Sequence, residues 1–193
     1  MPEKGSAKIH LALVHFPVYN KTGEVVASSV TTLDVHDISR ICRTFAVENF
    51  YVSTPLQTQK ELVARIIGHW VEGYGAEYNP TRKEALLSCK VIDTVDEAAK
   101  DIEARYGVAP KLVVTDAKVF PQSVGYKEMR RKFEDGGHFL LLFGTGWGLE
   151  KNLANSADYV LNPIDGLDGF NHLPVRAAIA IILDRLLSKT ELQ

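Results

Sequence analysis

Three glycines at alternate positions, Gly144-Thr145-Gly146-Trp147-Gly148, directly follow the apolar run 139–143. Glycine permits positive φ and close approach of the backbone to a ligand. Such a turn exposes main-chain N–H and C=O groups able to read an adenine or a phosphate. No Lys-Ser/Thr follows, so it is not a Walker loop, and the spacing is not G-x-G-x-x-G. The competing reading is a plain tight turn that packs Trp147 on the core. Two further turns share the same setting, each after a short β-prone run: Thr115-Asp116-Ala117-Lys118, and Asn162-Pro163-Ile164-Asp165-Gly166 continuing to Asn171-His172. In open parallel sheets ligands bind beyond the carboxyl ends of strands, so the three turns are expected to wall one pocket.

Several ionisable residues have the chemistry for proton transfer or anion binding. His172 titrates near neutrality and is a candidate general base. Arg176 stands at the start of an apolar helical stretch, where the dipole favours an anion such as a carboxylate. Arg43, with Arg40 one turn away, is a candidate for orienting a substrate. Asp116 and Asp165 are weaker proton acceptors, since turn aspartates usually serve the turn. Lys127, Arg130, Arg131 and Lys132 form a basic cluster able to meet phosphates, though such runs are usually solvated helix faces. His10, His15, His36 and His69 are scattered, His138 reads as structural, and no metal site is expected.

The elements that must position these residues alternate along the chain. Strand patterns cover 9–14, 50–52, 85–92, 111–115, 138–143 and 159–161, with a short β-prone run at 25–30. Helical spacing covers 34–47, 57–70, 95–106, 123–133 and 173–188. Residues 16–23 and 73–80 read as loops. Thr94 begins a capping-box pattern and Gly107 ends that helix. This alternation predicts an α/β fold with a mainly parallel sheet and helices on both faces.

The chain has 193 residues, 46% hydrophobic and 24% charged, with a net charge of −2. One domain over 1–193 is expected, its ligand-binding half at about 110–193. The weak net charge argues against a global positive field for nucleic acid but leaves room for a local patch. Cys42 and Cys89 lie apart in apolar segments and read as buried thiols. The polar start and the lack of ~18 consecutive apolar residues predict no signal peptide and no membrane span, hence a cytoplasmic protein. Residues 177–183 are apolar all round, so the last helix must be buried on several sides, by threading into the fold or by a partner subunit.

The segments L-L-L-F-G-T-G-W-G-L (140–149), Asn162-Pro163-Ile164 and N-H-L-P-V-R-A-A-I-A-I-I-L-D-R-L-L (171–187) resemble the SPOUT class of RNA methyltransferases, most closely its bacterial group of short stand-alone proteins. Residues 37–44, ending in Arg43-Thr44, look like the first motif of that class. The resemblance implies a C-terminal trefoil knot, an obligate homodimer, and S-adenosylmethionine bound in a bent shape. It places Leu142, Gly144 and Gly146 against the adenine and ribose, with Asn162, Ile164 and Leu173 closing the pocket and Thr115 and Ala117 bordering it. For methyl transfer Arg43 is then the candidate target-side residue, Arg176 contacts either the methionine carboxylate or the substrate, His172 is the candidate general base, and the partner is tRNA or rRNA. Gly146 stands where many members carry glutamate, and Phe170-Asn171-His172 replaces the Ser-Leu-Asn of ribose methylators. Base methylation is therefore favoured over ribose 2′-O methylation. Two other readings remain open: an inactive cofactor- or RNA-binding protein of this fold, and a Rossmann-like oxidoreductase.

Overall fold

Apolar runs too short for helices become buried strands in the computed structural model, which describes residues 7–188. The chain runs β1 (Lys8–Val14), β2 (Val18–Tyr19), β3 (Val25–Val26), α1 (Thr32–Thr44), β4 (Asn49–Ser53) and α2 (Gln57–Val71). It continues through α3 (Tyr74–Tyr78), α4 (Pro80–Leu86), β5 (Cys89–Ile92), α5 (Val95–Tyr106), β6 (Lys111–Thr115) and β7 (Ser123–Val124). Then come α6 (Tyr126–Glu134), β8 (His138–Gly144), α7 (Lys151–Asn155), β9 (Tyr159–Leu161) and α8 (Val175–Leu187).

Seven strands form one sheet in the order β5-β4-β1-β8-β6-β9-β7, and every ladder in it is parallel. The antiparallel pairing of β2 with β3 is a separate hairpin. Side chains alternate across the sheet as the pleat requires. Ile9, Leu11 and Leu13 of β1 join one core with residues of α1, α6 and α8, while Ala12 and Val14 join the other with Val95, Ala98 and Ile102 of α5. Helices cover both faces, and that is why the strands are mainly apolar.

Local signals explain most boundaries. Thr31 and Asp34 cap α1 reciprocally, and the helix ends before Ala46, which adopts φ +53°. Thr94 accepts the Glu97 amide at 3.2 Å, but the Glu97 carboxylate reaches the amide of Asp93 instead of closing the box on Thr94. Gly107 ends α5 in the left-handed region.

Elsewhere tertiary pairing overrides local pattern. The expected strand at 85–92 is shorter: Asn79 caps α4, Pro80 starts it, and Ala85 and Leu86 are buried on that helix. The expected helix at 123–133 loses its first residues to β7, which pairs with β9, and α6 starts after Gly125. The supposed loops at 16–23 and 73–80 contain β2 and α3, and α7 is additional. Pro174 stands at the N-cap position, just outside α8, and makes no side-chain capping bond.

Candidate active site

The carboxyl ends of β1, β6 and β8 open into one cleft of about 850 Å³. Its wall takes residues from all three turns singled out by sequence: 115–118, 143–148, and 164 with 171–175. Thr115, Ala117, Gly144, Gly146, Ile164, His172 and Leu173 line it directly. Ala178 and Ile182 of α8 complete its apolar side. Asn171 donates to the carbonyl of Ala117 at 2.6 Å, tying the third turn to the first.

The second turn is held from behind. The Trp147 amide donates to Tyr19 and the Tyr19 amide to Gly148, both at 2.9 Å, so the β2–β3 hairpin is the support on which it rests. Positive φ occurs at Gly146 (+60°) and Gly148 (+101°) and not at Gly144. Gly144 answers to space instead: a Cβ there would lie 3.0 Å from the Leu149 backbone nitrogen. A Cβ at Gly148 would meet the Asp116 carboxylate at 3.3 Å, so glycine lets the first two turns converge. Trp147 is 61% exposed at the cleft and does not pack on the core.

Not every residue expected at the site lies on the wall. Leu142 is fully buried inside β8, where its carbonyl accepts from the Thr115 hydroxyl at 3.0 Å. Asn162 stands behind the wall, its amide donating to Val124 at 2.9 Å. Arg43 points elsewhere: it is exposed on α1 and paired with Glu84 of α4. Arg176 lies in a shallow groove between α1 and α8 with Asp37, Arg40 and Thr44. It sits 3.6 Å from Asp37 and 4.0 Å from Asp34, so its charge is already partnered. Asp116 lines the cleft and accepts the Lys118 amide at 2.8 Å as a turn former, whereas Asp165 is exposed outside it. Of the basic cluster on α6, Arg130 reaches the carbonyls of Arg185 and Ser188, and Lys132 approaches Glu128 at 3.4 Å.

Sequence reasoning missed the opposite wall. His15, Ser28 and Ser29, from the segment between β1 and α1, and Asp34, in the first turn of α1, line the cleft. The available signal was positional: His15 immediately follows a buried parallel strand. His15 is 1% exposed, and burial pushes its pKa down to about 4. At the other end of the sheet His10 is fully buried, with His138 at 3.0 Å and Asn49 at 2.9 Å. Burial, then His138, lowers the His10 pKa to about 4.

A parallel sheet with these three turns beyond its strand ends is the architecture of the SPOUT methyltransferases. The chain superposes on the SpoU methyltransferase AviRb from Streptomyces viridochromogenes, determined in complex with AdoMet, with a TM-score of 0.58 and 16% identity. That match covers 95% of this chain and 58% of AviRb. A profile of the SAM-dependent RNA methyltransferase family matches residues 8–188, and the chain belongs to that family.

An uncharacterized protein of Aquifex aeolicus is 40% identical over 182 residues, covering 94% of this chain and 89% of that protein. A tRNA (guanine-N(1)-)-methyltransferase of Oleidesulfovibrio alaskensis is 42% identical over 185 residues. There the match covers 96% of this chain but 43% of the relative, so this chain spans less than half of the protein that bears that name.

The residues present fit S-adenosylmethionine. A cleft of about 850 Å³ lies within the usual range for such ligands, roughly 300–1,000 Å³. Ile164, Leu173 and Val175 offer apolar surface, while glycine-bearing turns bring main-chain polar groups close. Among the described residues, no helix is long and apolar enough to cross a membrane.

Proposed function

We propose that this protein acts in the cytoplasm as a homodimer, methylating a nucleotide of tRNA or rRNA at a base nitrogen in preference to a ribose hydroxyl. One observation carries the reading: three turns far apart in sequence converge on a single cleft, and a structural helix, α8, closes it. When bound, the cofactor supplies an electrophilic sulfonium methyl group. Thr115, Ala117, Gly144, Gly146, Ile164 and Leu173 contact it. Leu142 and Asn162 act one layer behind, by holding Thr115 and the β7–β9 junction.

His172, exposed at the rim, meets the RNA. Arg176 orders the α1 end of the cleft through Asp34. Arg43 and Arg40 lie on α1 outside the cleft and meet RNA phosphates in the assembled dimer. The half-buried side of α8 supplies the dimer contact. Residues 162–174 form the threaded segment of a trefoil knot, supported by the Asn171–Ala117 bond that draws them under the first turn.

The test is calorimetry with S-adenosylhomocysteine, followed by transfer of labelled methyl groups into total bacterial RNA. Binding and incorporation, with label recovered in a base after nuclease digestion, are expected. No binding at high micromolar ligand overturns the reading, and label in ribose overturns the preference for a base.

A further inference from the structure

Among the described residues, His15 is the one whose side chain is buried, lacks a hydrogen-bond partner on one ring nitrogen, and lines the cleft. Its Nε2 has no partner among the described residues. Leaving a buried polar atom unpaired is costly, so its retention calls for an explanation.

The other ring nitrogen shows which hydrogen the imidazole carries. Nδ1 lies 2.9 Å from the Ser28 hydroxyl, which in turn contacts the Thr145 hydroxyl. Thr145 Oγ1 lies 3.1 Å from the carbonyl of Val14, a group that can only accept. Thr145 therefore donates to Val14, Ser28 donates to Thr145 or to the His15 carbonyl 3.5 Å away, and in both cases Ser28 has only its lone pairs left for the ring. His15 must then donate from Nδ1. The reverse direction would turn the Thr145 lone pairs toward the carbonyl and lose one bond. In this tautomer Nε2 carries a lone pair and no hydrogen.

The geometry points to His15 as the general base of the transfer, its Nε2 taking the proton from the RNA group that accepts the methyl. The assignment rests on the methyltransferase reading above. As the acceptor nitrogen or oxygen bonds to the methyl carbon, the bond from that carbon to sulfur breaks. The acceptor's proton passes to Nε2, leaving methylated RNA, S-adenosylhomocysteine and an imidazolium that returns its proton to water. The chain from Nδ1 through Ser28 to Thr145 holds the ring against the same turn that walls the cleft. Asp34, on the same wall at the start of α1, favours the transient positive charge. The other ionisable side chains of the wall are Asp116, Lys118 and His172.

His15→Asn keeps a donor for Ser28 and removes Nε2, while His15→Gln places an amide near the Nε2 position. Both are expected to bind S-adenosylhomocysteine within about threefold of wild type and to lose about 10²–10⁴-fold in methyl incorporation into total bacterial RNA. Rates measured from about pH 4 to about pH 8 should fall on the acid side in the wild type, and that limb should vanish in the variants. Nitrogen-15 NMR of the wild type, without substrate, should show the Nδ1–H tautomer. Wild-type rates in His15→Asn, or the opposite tautomer, overturn the assignment alone. A wild type that binds no S-adenosylhomocysteine, or binds it and incorporates no label, overturns the transferase reading together with it.

Discussion

Gly144 and Gly148 serve the same turn for different reasons, and substitutions separate them. At Gly144 the limit is volume, since Leu149 occupies the space where a Cβ would go. At Gly148 it is the backbone, held at φ +101°. Gly144→Val should therefore destabilise the fold by about 1–3 kcal/mol through overpacking, and weaken S-adenosylhomocysteine binding with it. Chemical denaturation beside calorimetry checks this, and a variant of wild-type stability would refute it. The expectation of positive φ at Gly144 is replaced by this steric one. The three turns were legible in sequence because each follows an apolar run and is rich in small residues. His15 and Asp34 were not, because a lone histidine and a helix-capping aspartate carry no local mark of a cleft. Only the parallel neighbours of β1 bring them to the ligand side. For Arg43 the sequence shows only a charge on a helix, and its pairing with Glu84 is visible only in the packing.

α8 is buried on one side and only partly covered on the other. Its Ile179, Ile182, Leu183 and Leu186 are buried, yet Ala177, Ala180 and Ile181 belong to neither core cluster. Small and apolar side chains left on one side of a buried helix fit a second helix packed against them. Ile181→Glu should convert the proposed dimer to a monomer in light scattering while helical content stays unchanged. A dimer that persists at micromolar concentration would refute the assignment of this face. The apolar character of 177–183 was plain in sequence; which side meets the protein's own core was not, because that depends on where α1 and α6 lie. Similarly, 123–133 carries helical periodicity throughout, and only the partner strand β9 draws Ser123 and Val124 away from it.

At the scale of the whole molecule, stability should depend on pH through buried histidines. His10 and His15 have pKa values near 4 in the fold, against about 6.5 in an unfolded chain. The unfolded chain therefore binds more protons between those limits, and stability falls as pH drops from about 6.5 toward 4. Each histidine accounts for up to about 3 kcal/mol of that loss. Denaturant melts across this window check it, and His10→Asn should flatten part of the slope. A stability independent of pH there would contradict the burial of these rings.

The sheet order has a further consequence, in time rather than space. β8, which carries the second turn, lies between β1 at the start of the chain and β6, so His10 meets His138 across 128 positions. Pairing of such remote segments is slow to form. While the chain is being synthesised, β1 waits with one edge unpaired until β8 has emerged. The cleft is thus completed only once β8, the third turn and α8 are all available, late in the order of synthesis.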